Sequence, residues 1–599
     1  MEEQKLRSQI NVEDMWDLTP IFKNDEEFEK AFQLLEEEIK DYPKQNDTFV
    51  NKPGELKERL EKLEDLNRKL DKLQTYSHQR SDEDTSNNHY QAYVERVSKL
   101  ESTLSETTSY LNPTILKKDY NFIQSFYKVE PKLEYFDSYF KELFRYQKHY
   151  LKENEELLMA KVGRMTGYAS EASSILLDSD LKYGFVHKDG TEIELTDSNF
   201  RKFILDQNRD VRKDAFMKMY HTLKQFKNVF ANSLAGMVEE SNTLRMIRNY
   251  PSNLEASLFD EEITTDVYHN LIKTVRDNLS VLYDYFSFKK QYLKLDEFHL
   301  YDTGVELVPE YKKNYSFQEA KEIILNVLSI FGEEYVSCVK RAFKDHWIDI
   351  FPNKGKRGGA YSGGAYDTYP YILLNYNGEY DDVSTLIHEM GHSMHSYYAR
   401  KNNPYITGDY KIFVAEVAST VNELLLSHYL YEHSENDLEK MYLLNQKLDL
   451  YKATLYRQTM FAEFEEKFFD AAENGTVLTS DYLCGTYYEL VRDYFGPSVV
   501  IDDEIRYEWE RIPHFFYYFY VYKYATGISA ATHIVRRILN KEENAVHDYL
   551  EFLKVGSKLS PLDSLKIAGV DLTKPEVIES SILEFQSAFE ELKKLTEKM

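Results

Sequence analysis

The chain has 599 residues, 42% of them hydrophobic, enough apolar material for a large core in more than one cooperating unit, which excludes a disordered protein. Its 102 acidic against 74 basic residues leave a formal charge of -28, which disfavours lasting contact with phosphate backbones or anionic lipid, so neither nucleic acid nor membrane is an expected partner. That charge reads first as a solvated acidic surface, with a mild preference for cationic substrates as the weaker alternative.

Two cysteines, Cys338 and Cys484, can build neither a disulfide framework nor a thiolate metal site, and they fit a reducing compartment. The opening MEEQKLRSQINVEDMW lacks the apolar core of a secretory signal, and no run of about 18 apolar residues follows that could span a bilayer. The expected address is the cytoplasm.

Few prolines and glycines and long stretches of three-to-four-residue apolar spacing predict a mostly α fold. In PGELKERLEKLEDLNRKLDKLQTYS, Leu56, Leu60, Leu63, Leu70 and Leu73 form one stripe opposite a charged face, as in one helix of an antiparallel pair; an intermolecular coiled coil is the alternative. YGFVHKDGTEIELT (183 to 196) alternates around Asp189-Gly190 and predicts a hairpin, with helix resuming at Thr196-Asp197. A domain boundary is placed near residue 200, giving an N-terminal helical domain (1-200) and a larger second domain (201-599).

The glycine cluster Gly358, Gly359, Gly363 and Gly364 predicts a flexible loop, followed by a short strand PYILLNY and a turn at Asn377-Gly378. Asp381 or Asp382 is then expected to cap a helix carrying IHEMGHSMHSYY (387 to 398). Four residues is about one helical turn, so His388 and His392 can hold one metal ion between their imidazoles. Glu389, one residue along, lies beside such an ion and can take a proton from the attacking water, the chemistry of an H-E-x-x-H zinc peptidase.

A catalytic zinc needs a third protein ligand. FVAEVASTVNE offers Glu416, with Glu423 two turns on along the same face to orient a ligand histidine. The apolar neighbours Phe413, Val414, Val417, Ala418 and Val421 suggest that Glu416 is buried and so needs a cationic partner. His395 lies near the same face; hydrogen-bonding support of a ligand is favoured over ligation, since three ligands from one short helix crowd the ion. Gly391, unfavourable inside a helix, points to a close approach of another backbone or of the ligand-bearing helix. Towards the end, RIPHFFYYFYVYKYATG offers His514, Tyr517, Tyr518, Tyr520, Tyr522 and Tyr524, donors suited to an oxyanion, against the plainer reading of tyrosines as packing residues.

HEMGHSMH, FVAEVASTVNE, PYILLNYNG and IPHFFYYFYVYKYATG together resemble the oligoendopeptidase F group of the thimet-oligopeptidase-like zinc metallopeptidases. The specific motifs cover about residues 354 to 427 and 511 to 527, and the coarse plan is similar over nearly the whole length. The resemblance implies an elongated, multi-helical zincin-type fold with a deep channel admitting short unfolded peptides and a small sheet beside the HEXXH helix. It implies one zinc ion per chain on His388, His392 and Glu416, with Glu389 as general base. It also implies that the strand at Tyr371, Ile372 and Leu373 is an edge pairing with substrate backbone, and that the Gly358 to Gly364 loop, with Gly358 and Gly359 against substrate, lies over the cleft. His514 with Tyr517, Tyr520 and Tyr524 is preferred for the oxyanion because those tyrosines are expected to share a helical face.

The reaction expected is hydrolysis of internal peptide bonds. A peptidyl-dipeptidase trimming carboxyl ends, a carboxylate-bridged di-iron bundle using the Glu389-His392 pair, and a non-catalytic peptide-binding scaffold stand as alternatives.

Overall fold

The computed structural model describes residues 5-163, 166-308 and 311-598. It is mostly helical, and the elements that matter below are, in chain order, helices α1 (Pro53–Asp82) and α2 (Asn88–Thr108), strands β1 (Phe185–Lys188), β2 (Thr191–Glu194), β3 (Ile348–Asp349), β4 (Tyr361–Gly363) and β5 (Tyr371–Leu373), and helices α3 (Tyr380–Asn402), α4 (Ala415–Glu432), α5 (Arg457–Glu473), α6 (Tyr522–Leu539) and α7 (Ala545–Leu553). The chain forms two compact units, each assembled from several stretches: Met1–Tyr150, Lys313–Leu426 and Lys541–Gly569 in one, Leu151–Lys312, Ser427–Asn540 and Val570–Met599 in the other. Within the first unit the N-terminal stretch packs with the sheet near residues 346 to 376.

In the first unit, α1 starts with Pro53, whose missing N–H costs nothing at that position, and it packs along α2. Leu56, Leu60, Leu70 and Leu73 are buried as the stripe predicts, while Leu63 is half-buried and Leu66 takes a buried place. The sheet runs β3-β5-β4, with β3 parallel and β4 antiparallel to β5. β5 is therefore the central strand, not an edge: Tyr371, Ile372 and Leu373 are fully buried and both of their ladders are filled. The edge strands are β3 and β4.

The N-terminal segment ties onto this sheet through Asp17 N to His346 O (2.8 Å), Ile350 N to Asp14 O (3.0 Å) and the Tyr371 hydroxyl to Asp17 O (2.9 Å). Beneath it, the buried Asp349 carboxylate accepts from Arg7 Nη1 (2.8 Å) and pairs with Lys356 Nζ (2.6 Å), which is itself wholly enclosed. Removing the acid leaves Lys356 buried without its counter-charge. Asp349→Ala should therefore lower stability by about 3–5 kcal/mol, read as a shift of the urea unfolding midpoint; a midpoint within error of the parent would show that the pair contributes nothing.

In the second unit, β1 and β2 form the expected hairpin, with Val186 opposite Ile193 and the left-handed Asp189 (φ 51°) and Gly190 (φ 76°) at the turn.

Candidate metal centre and aromatic cluster

Helix α3 is capped differently from the sequence expectation. Glu379 is the residue before its first turn, and Asp382, inside that turn, reaches back to accept from Glu379 N (2.9 Å) and Asn377 N (3.0 Å). Val383, Leu386, Ile387, Met390 and Met394 face the core. That orientation turns His388 and His392 together, with ring centroids 4.8 Å apart.

Glu416 stands in the first turn of α4 and meets both rings. His388 Nε2 to His392 Nε2 is 3.1 Å, His388 Nε2 to Glu416 Oε2 is 3.4 Å, and His392 Nε2 to Glu416 Oε2 is 3.5 Å. A tetrahedral zinc with ligands at about 2.0–2.1 Å separates any two of them by about 3.3–3.4 Å. The three donors fit such an ion, and their N,N,O set suits it chemically.

The field points the same way. Burial opposes a charged ring at His388, yet Glu416 and Glu423 push it up to about 10. Although partial loss of solvent works to raise it, the Glu416 carboxyl is held well below the usual carboxylate range by His388 and His392. The pocket is built to keep a positive charge among carboxylates. Glu423 Oε1 lies 3.4 Å from His388 Nδ1, the nitrogen facing away from the donor triangle, and Ser419 Oγ donates to Glu416 Oε2 at 3.1 Å.

Two expectations need correction. The Glu416 side chain is 51% exposed rather than buried: Val417, Ala418 and Val421 cover the other faces of the helix and leave the carboxylate open. His395 is enclosed, but its ring stacks on Tyr410 (centroids 3.6 Å, planes 4° apart) and lies against Phe552 of α7. Among the described residues it makes no hydrogen bond to His388 or His392, and burial, with the nearby His392, lowers its pKa to about 3, so it packs as a neutral ring.

Glu389 is 6% exposed and is not one of the three donors. Burial raises its carboxyl above the ordinary value, while His388, His392 and the backbone N–H of Ser362 work against that rise. Ser362 is the middle residue of β4, so an edge strand runs beside this carboxylate, and its Oγ lies 2.8 Å from Ser393 Oγ of α3. Gly358 and Gly359 form the exposed turn leading into β4, pinned where Asn375 Nδ2 donates to Arg357 O (2.9 Å) and Gly359 O (2.8 Å).

Sequence reasoning missed Ser362, Ser419 and Asn422. Asn422 is fully buried and donates to Ile387 O (3.1 Å), tying α4 to α3 one residue before the first ligand. Ser419 could have been found from its three-residue spacing to Glu416; nothing local marks the other two.

In the second unit, His514, Tyr517, Tyr520 and Tyr524 do come together, with His514 centred 5.7, 6.2 and 5.8 Å from the three rings and its Nε2 3.3 Å from the Tyr524 hydroxyl. A shared helical face is not the reason. The α6 helix starts only at Tyr522, and the tyrosines converge because the chain turns through left-handed Tyr518 (φ 46°) and Phe519 (φ 54°). Tyr517 is 57% exposed.

The chain matches the model of Peptidase family M3 over residues 203–583 and that of Oligopeptidase F over residues 115–183. It is 41% identical over 594 residues to Oligopeptidase PepF of Bacillus subtilis, spanning 99% of this chain and 89% of that protein. It is 38% identical to Group B oligopeptidase PepB of Streptococcus agalactiae, spanning 99% and 98%. Among solved structures, oligoendopeptidase-F from Enterococcus faecium aligns with a TM-score of 0.74 at 33% identity, covering 96% of this chain and 100% of that one.

Proposed function

We propose, from the premise that this chain belongs to peptidase family M3, that it is a zinc-dependent oligoendopeptidase cutting internal bonds of short unfolded peptides. It is a metallopeptidase that hydrolyses oligopeptides; the identity of the metal, the roles of single residues and the endo mode are what the proposal adds. The observation that carries it is the triangle of His388 Nε2, His392 Nε2 and Glu416 Oε2, whose sides match a single tetrahedral ion.

One zinc ion held there would supply Lewis acidity to the scissile carbonyl and lower the pKa of the attacking water. Glu389 takes the proton from that water at a carboxylate oxygen and hands it to the leaving amine nitrogen. Glu423 fixes the ring of His388 through Nδ1, which keeps Nε2 aimed at the ion. The open edge of β4 offers backbone groups to an extended peptide, a mode that accepts many side chains and takes over the role first expected of Tyr371 to Leu373. His514, Tyr517, Tyr520 and Tyr524 serve as donors to the oxyanion of the tetrahedral intermediate. The division near residue 200 into an N-terminal helical region and a catalytic region belongs to this reading, supported by the gap between the two family matches. So does a cytoplasmic address, supported by two free cysteines; no described helix is long and apolar enough to cross a membrane.

The test is cleavage of an internally quenched peptide blocked at both ends, before chelation, after it, and after one equivalent of zinc is returned. Cleavage should vanish and come back. Failure of the metal-loaded protein to cut any of a varied blocked set would favour trimming of free carboxyl ends instead.

A further inference from the structure

The turn that gathers the aromatic donors has no glycine, although Tyr518 and Phe519 both occupy the left-handed region, which side chains other than glycine enter only at a cost. Something outside the segment must hold it there. Phe519 is buried, stacked on Phe469 (4.7 Å) and edge-on to Tyr268 (5.7 Å), and Ser257 Oγ donates to Tyr518 O at 2.8 Å. The remaining anchor is Glu465, on α5. This acid is fully enclosed, accepts the Phe519 backbone N–H on Oε1 at 2.5 Å, and has no hydrogen-bond partner for Oε2 among the described residues.

An acid buried without a cation is unfavourable unless it is neutral or serves a need that outweighs its burial. We propose that Glu465 is a positioning residue, which fixes the left-handed turn at Tyr518-Phe519 and thereby sets His514, Tyr517, Tyr520 and Tyr524 in one cluster. Burial pushes its carboxyl up to about 8, against the pull of the Phe519 N–H, so at neutral pH it is mainly a neutral acid whose carbonyl oxygen does the accepting. The groups around it are consistent with that state: Tyr268, whose hydroxyl donates to Ala462 O, and the enclosed phenol of Tyr522, neither of which carries a positive charge. The role rests on the reading that the aromatic cluster serves hydrolysis.

The neutral acid has a close mimic in glutamine, which keeps a carbonyl oxygen at the same place; leucine fills similar space and accepts nothing. In the zinc-loaded enzyme, Glu465→Gln should keep kcat within about threefold of the parent, whereas Glu465→Leu should lose about 30-fold or more in kcat with full metal content and little change in KM, as befits displaced oxyanion donors. Adding Tyr518→Gly, which enters the left-handed region freely, should restore part of the loss in the Leu background.

Parental kcat in Glu465→Leu, or an equal loss in Gln and Leu, overturns the role. His514→Gln and Tyr524→Phe are measured alongside: if they keep parental kcat, the reading of the cluster has failed rather than the positioning alone. Should Glu465→Leu not fold, Tyr518→Val and Tyr518→Gly carry the test. Valine resists this φ and should lose kcat where glycine does not, and equal rates for the two overturn the proposal.

Discussion

Glu389→Gln should bind its metal and lose about a thousandfold or more in kcat. Glutamine has the same shape in a site that is 6% exposed, so the fold has no reason to change, and the amide oxygen can still accept from the backbone N–H of Ser362. What disappears is the ability to take a proton. Glu389 is outside the donor triangle of His388, His392 and Glu416, so loss of its charge should weaken the metal by no more than about tenfold, an indirect effect of field rather than of a missing ligand. Turnover of a quenched peptide, normalised to metal measured by mass spectrometry, separates the possibilities. A rate within tenfold of the parent at full metal content would place the base elsewhere, and parallel loss of metal and turnover would make Glu389 a support of the site.

How far such a site can be read in advance depends on how local its causes are. His388, Glu389 and His392 were legible because one turn of one helix decides their mutual placement. Glu416 was legible as a ligand but not in its exposure: apolar neighbours in sequence point to three faces of a helix, and only packing shows that the fourth opens to solvent. The strand at Tyr371 to Leu373 was found, yet its place in the middle of the sheet depends on β3, 22 residues or more earlier, and on β4 folding back beside it. Three apolar residues carry no mark of how many partners they have. The turn at Tyr518-Phe519 was hidden for a similar reason. Its sequence holds none of the glycine or asparagine that announces a left-handed backbone, because its support comes from Glu465 on a different helix.

Gly391→Ala sets two effects of opposite sign against each other, and the structure decides which should win. In an isolated helix the change is favourable by about 1 kcal/mol. Here a Cβ at residue 391 would lie 2.6 Å from Ser419 Cα, 2.7 Å from Ala418 O and 2.8 Å from Ser419 N, all backbone atoms of α4 with no rotamer to move away. The helix itself has to retreat, and it cannot do so freely, since Asn422 holds it to Ile387 O on the ligand-bearing turn of α3. Glu416 lies three residues before Ser419 and accepts from its hydroxyl, so a shift of α4 carries the third ligand away from His388 and His392. Overpacking of this kind costs about 1–3 kcal/mol, enough to cancel the gain in helix propensity. The larger consequence is for the metal, whose affinity should fall by about 100-fold as the sides of the donor triangle lengthen. Competition with a zinc-responsive dye reads that directly, and returning excess zinc should recover only part of kcat, because the ion regained sits in a distorted site. A variant that is more stable than the parent and binds zinc as tightly would mean that helix propensity outweighs the contact and that α4 tolerates displacement without moving Glu416.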